Sequence, residues 1–100
     1  MLRILPEAKW EIIEASEWYD ERQPGLGDEF RQAVAHAMLK IGNSPRLYPR
    51  LEAYRTQREI RRFLLERFPF KIIYEVRAED AVILAVAHVR RRPDYWRRRR

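Results

Sequence analysis

The residues able to do chemistry gather near the C-terminal end. His88 precedes Arg90, Arg91 and Arg92, and Tyr95 follows three positions later. Lys71 and the pair Arg61-Arg62 lie on segments that read as strands and can be brought alongside. Arginine orients phosphates through paired N–H donors and stabilises negative charge developing on a phosphoryl group. A histidine or tyrosine among such groups acts as acid or base if its pKa is displaced. Basic residues at strand ends serve binding or solubility more often than catalysis, so the cluster reads first as a surface for an anionic target.

Other chemistries have little to stand on. The chain has no cysteine, which removes a disulfide framework, a thiolate zinc site and a thiol nucleophile. His36 and His88 are its only histidines and lie far apart, and His36 reads as a helix-surface residue, so no metal site is expected. Ser16 and Ser44 fall in a helix and in a helix-ending turn, without a nucleophile elbow. Glu7, Glu11, Glu14 and Glu17 read as a solvated helix face. With three glycines in all there is no phosphate-cradling loop, and no cofactor is expected.

The charge is unevenly placed. Of 21 basic residues 18 are Arg, and the formal net charge is +6. Residues 1–88 sum to zero, whereas the last twelve, VRRRPDYWRRRR, hold seven Arg and one Asp. The excess is therefore a property of a terminal segment, residues 89–100, and marks a footprint for phosphate or for an acidic protein. The alternative is a solvated, frayed terminus.

The elements that must position these residues follow from periodicity. At 100 residues with 46% hydrophobic content, the chain is one domain, 1–100, with enough apolar material for a core. Leu2–Leu5 form a short strand, and Pro6 suits the first turn of a helix. Ala8, Ile12, Ala15 and Tyr19 recur at helical spacing with Trp18 beside them, until Gln23-Pro24-Gly25 stops the helix. Phe30, Ala33, Val34, Ala37, Met38 and Ile41 make a second stripe that Gly42-Asn43 and Pro45 end. Residues 46–57 read as a connecting loop.

The second half reads as three strands in an antiparallel meander. Glu59–Glu66 has mixed character. Phe70, Ile72, Tyr74 and Val76 alternate with Lys71, Ile73, Glu75 and Arg77, the pattern of a half-buried strand. Val82–Ala87 is apolar at every position and should be covered on both faces. The fold class is α+β: a short N-terminal strand and a two-helix hairpin packed on a small antiparallel sheet. One helical layer covers one face only, so Ile83, Ala85 and Ala87 are expected to form an apolar strip for a partner, unless the first helix, the C-terminal segment or the sheet's curl covers it.

No run of 18 apolar residues is present, so no membrane partner is expected. The opening MLRILPEAKWEIIE turns acidic too soon for a signal peptide, which makes a cytoplasmic location the expectation.

The ordered set of motifs resembles the RelE/ParE superfamily of toxins from type II toxin–antitoxin modules. Its matching stretches are Ala8…Ile12…Ala15…Trp18-Tyr19, Leu26-Gly27…Phe30, Ile41…Ser44-Pro45, Arg61-Arg62-Phe63, Phe68 to Tyr74, and Ile83 to Pro93. The resemblance implies a cognate antitoxin, small, acidic and partly disordered, in a toxin–antitoxin hetero-oligomer. Ile83, Ala85 and Ala87 are its expected contact.

The superfamily's ribosome-dependent endoribonucleases use basic residues on the sheet and a tyrosine near the C-terminus. On that reading the candidates are Arg61, Arg62, Lys71, Arg91 and Tyr95, although Val89 stands where that branch tends to carry a further arginine. The ParE branch, which poisons DNA gyrase without being an enzyme, is the closer resemblance through Phe68-Pro69-Phe70 and Ala87 to Arg91. There the target-binding residues are expected to be His88, Arg90, Arg91, Arg92, Tyr95 and Trp96. A protein that binds its antitoxin and has little toxicity is the third reading.

Overall fold

The computed structural model describes residues 1–51 and 57–100. Its element order is β1 (Leu2–Ile4), α1 (Pro6–Arg22), α2 (Leu26–Asn43), β2 (Glu59–Leu64), β3 (Phe70–Arg77) and β4 (Asp80–His88). Pro6 starts α1, where its missing N–H is one of the groups no helix can pair, and Glu7 adds a favourable charge to the first turn. The chain leaves α1 at Gln23, whose N–H donates to the Tyr19 carbonyl at 3.0 Å. Gly25 takes a left-handed φ of +91°, which costs glycine little and lets α2 begin at once.

The hairpin closes tightly at one point. The Gly27 N–H donates to Asp20 Oδ1 at 2.7 Å. A Cβ on Gly27 would sit 2.3 Å from the Ser16 carbonyl oxygen, so only glycine allows this approach of α2 to α1. The expected stripes then meet: Phe30, Val34, Ala37 and Ile41 of α2 are buried with Ala8 of α1, and Ile12, Ala15 and Tyr19 pack against them. Tyr19, Phe30 and Phe68 stack with centroid separations of 5.0 to 5.4 Å.

The sheet has the order β1-β4-β3-β2. β2, β3 and β4 form the expected antiparallel meander, and β1 adds to the free side of β4 in parallel, so the sheet is mixed. Ile72, Tyr74, Val76, Ala81 and Ile83 face the helices. Residues 46–57 were expected to be loop. Of these, 52–56 lie outside the described residues, and Pro49 to Leu51 run along the outer edge of β2 instead, with Leu51 N–H donating to Ile60 O at 2.8 Å and Arg62 N–H to Pro49 O at 3.0 Å. That pairing covers backbone groups which an edge strand would leave open.

The C-terminal segment folds back onto the sheet's second face, the cover weighed as the alternative to an open strip. Trp96 is 2% exposed and packs with Leu5, Ile60, Ile73, Val82, Leu84 and Ala85 as a second core on the sheet's other face. β3 is consequently buried on both faces, not half-buried, and Ile73 is 1% exposed. Ile83, Ala85 and Ala87 form no open strip, since all three are buried. Nor do they share a face. The pairing skips Leu84 between Ile73↔Ala85 and Tyr74↔Ile83, an irregularity that puts Leu84 and Ala85 on the same side while Ile83 faces the helices.

Candidate functional site

β1 is short, and that shortness creates the site. Its last link to β4 is Leu5 N–H donating to Ile83 O at 3.1 Å, after which Pro6 diverts the chain into α1. The rest of β4 would have an open edge. Glu11, pointing from α1, occupies it: Glu11 Oε1 accepts the Val86 N–H at 2.9 Å. Arg99 completes the edge by donating from Nη1 to the Leu84 carbonyl at 3.0 Å and to Glu11 Oε1 at 2.9 Å.

The second carboxylate oxygen holds the rest of the tail. The Tyr95 hydroxyl donates to Glu11 Oε2 at 2.6 Å, and Arg91 approaches the same oxygen at 3.5 Å. The Arg91 guanidinium also stands 3.8 Å from the centre of the Tyr95 ring, with Arg99 at 4.9 Å. Glu11, expected on a solvated helix face, is thus the acceptor for four groups, with its side chain 10% exposed. Burial pushes the Tyr95 phenol well above the ordinary tyrosine range, the bond to Glu11 and its charge push the same way, and Arg91 and Arg99 oppose them. Burial lowers the basicity of Arg99, but its bond to Glu11 together with the negative charge of Glu11 and the nearby Tyr95 and Glu7 raises its pKa overall.

Beside this latch lies a groove of about 740 Å³ between α1 and the adjoining ends of β3 and β4. Ala15, Trp18, Tyr19, Phe70 and Val86 give it an apolar lining, with Glu14, His88 and Arg91 at polar positions. Trp18 is 50% exposed and carries the Arg22 guanidinium 3.4 Å from its ring centre. Trp10 and Ile13, 62% and 44% exposed, are further apolar side chains on α1. Both lie off the Ala8–Ile12–Ala15–Tyr19 stripe that faces the core and outside the groove's lining.

The nuclease candidates are dispersed. Arg61 donates from Nε to Glu59 at 2.8 Å and from Nη1 to the Tyr48 carbonyl at 2.6 Å, which ties it into the β2 edge. Alternation puts Arg62 with Ile60, and Lys71 with Ile73, on the opposite sheet face. Arg91 and Tyr95 are held at the β4 edge by Glu11. Among the target-binding candidates, Trp96 is a core residue, because it closes the second sheet face. His88 at the end of β4 and Arg90 and Arg92 beyond it are exposed, with His88 against Phe70 and its Nδ1 accepting the Arg90 N–H at 3.1 Å.

Among the described residues no group of three His, Cys, Asp or Glu is placed to hold a metal ion, and no helix is long and apolar enough to cross a membrane.

Residues 2–93 match the family described as the ParE toxin of the type II toxin–antitoxin system parDE. A solved structure titled "Chromosomal ParDE TA system from P. aeruginosa" is similar in fold, with a TM-score of 0.73 over 87% of this chain and 92% of that one at 16% identity. No curated protein sequence matches the chain.

Proposed function

The chain belongs to the ParE toxin family of type II toxin–antitoxin systems, and from that premise we propose that it inhibits DNA gyrase and is neutralised by a cognate antitoxin. The observation that carries this reading is the family match across nearly the whole chain, both helices and all four strands included. On this reading the toxin binds gyrase, traps the cleaved DNA state and has no catalytic step of its own. The cytoplasm, where gyrase works, is its place of action.

The geometry favours this over ribosome-dependent RNA cleavage. A cleaving site needs its acid, base and phosphate-binding cations around one substrate. Here Arg61 is tied to Glu59 and Tyr48, Lys71 and Arg62 occupy the other sheet face, and the Tyr95 hydroxyl is committed to Glu11.

The antitoxin's place on this reading is the groove beside Trp18 and Phe70. A disordered segment that folds on binding gains most from such an apolar strip. A gyrase supercoiling assay tests the target. Purified protein should stop supercoiling and leave cleaved DNA, and a stoichiometric antitoxin should restore the activity. Unchanged supercoiling together with messages cut at codon boundaries would transfer the reading to the nuclease branch.

A further inference from the structure

The fold divides the basic tail into two sets. Arg91 and Arg99 are drawn inward by Glu11, and Arg97 lies 3.7 Å from Asp94. Arg90, Arg92, Arg98 and Arg100 are exposed and form no ion pair among the described residues. Arg92 and Arg98 also border a shallow concavity of about 570 Å³ whose other lining includes Asp94 and Arg97. The tail is held in place beneath them by Trp96 and by the Tyr95–Glu11 bond.

We propose that Arg90, Arg92, Arg98 and Arg100 form a sequence-independent contact surface for the phosphate backbone of duplex DNA.

Three features of the surface select this partner. All four cations are arginine, which binds phosphate through paired, planar donors. An acidic protein would need apolar anchors as well as charge, because buried aromatic and aliphatic groups supply most interface energy. The tail offers few: Trp96 is buried, and Tyr95 has Arg91 and Arg99 against its ring. The same two facts argue against single strands, whose binding depends on exposed aromatic rings for base stacking. These arginines lie beyond the last strand and on no helix of the fold, so no element is presented to read base edges in a groove.

The proposal does not rest on the gyrase reading and is tested without gyrase. Fluorescence anisotropy of a labelled random-sequence duplex is measured with the full chain across a salt series. Four phosphate contacts should give a log–log salt slope of roughly −3 to −4, at about 0.9 per contact. Arg90→Ala/Arg92→Ala/Arg98→Ala should reduce the slope by about three contacts' worth and weaken binding at low salt by more than tenfold. The matching triple Lys variant should retain most of the slope. Circular dichroism and the melting midpoint should not move in either variant, since none of the three side chains packs in a core. Equal binding by wild type and the Ala variant would overturn the proposal. So would tighter binding to single-stranded DNA, or displacement of the duplex by polyglutamate at equal charge concentration, which would assign the surface to single strands or to an acidic protein.

Discussion

The Tyr95 hydroxyl donates to the Glu11 carboxylate at 2.6 Å, a bond spanning 84 positions that joins the first helix to the basic tail. It makes the tail part of the fold. Replacing Glu11 with Ala should leave the Val86 N–H and the Tyr95 hydroxyl without their acceptor and Arg99 with the Leu84 carbonyl but no carboxylate. The expected loss is about 1–3 kcal/mol, read from urea denaturation midpoints. Tyr95→Phe removes one neutral donor and keeps the ring under Arg91, so its loss should be smaller, about 1 kcal/mol. Equal stability of Glu11→Ala and wild type would show that the tail is not latched by this carboxylate.

Two glycines should respond to the same substitution with opposite sign. Gly27→Ala places a Cβ 2.3 Å from a backbone oxygen of α1, and neither helix can yield cheaply. The expected cost is about 1–3 kcal/mol. Gly42 lies in the last turn of α2, and its nearest neighbour would be Leu2 Cδ1 at 3.9 Å, an ordinary contact. Gly42→Ala should therefore be neutral or stabilising by up to about 1 kcal/mol, through helix propensity. Thermal melts of the two variants check both signs.

Stability should fall in acid. Burial alone would raise the Glu75 pKa, but hydrogen bonds from Arg58 and Arg77 outweigh it and hold the carboxyl below its ordinary value. The bond from Arg61, more than any other influence, lowers Glu59 in the same way. A depressed carboxylate binds fewer protons folded than unfolded. Its stabilisation is complete above the unfolded value of about 4.3 and disappears as pH falls through the folded one. Glu75→Gln should be less stable at neutral pH and lose less between pH 7 and pH 3, measured by denaturant midpoints. At the alkaline end the sign reverses. Burial pushes Tyr74 up to about 12, so its contribution holds below about pH 10 and is lost above it.

The groove gives a prediction separable from stability. Trp10→Ala and Trp18→Ala change side chains that are 62% and 50% exposed, so folding should be little affected. Antitoxin affinity should drop by more than tenfold for Trp18→Ala if its ring is an anchor, as aromatic hot spots usually behave. Titration calorimetry with the antitoxin's C-terminal segment reads this directly. Affinity unchanged in both variants would move the antitoxin away from α1.

Much of the fold was legible because its signals are local. Pro6, Gln23-Pro24-Gly25 and Gly42-Asn43 mark helix ends wherever the helices pack, and the apolar run Val82–Ala87 marks a doubly covered strand. What covered the second face was harder to read. Trp96 sits among arginines, so its composition suggests solvent, yet its ring closes a core. The facing of Ile83 and Ala85 depended on a bulge, which strict alternation does not anticipate. Glu11 is indistinguishable in sequence from Glu7 and Glu14. Its role arises only because β1 stops at Ile4 and leaves the β4 edge within reach.

The central claim, that this ParE-family toxin acts on gyrase, is tested most directly by supercoiling of relaxed plasmid with purified gyrase, ATP and the full chain. The expected result is dose-dependent loss of supercoiling with accumulation of cleaved plasmid, reversed by antitoxin. Full supercoiling at a large molar excess of correctly folded protein would contradict it.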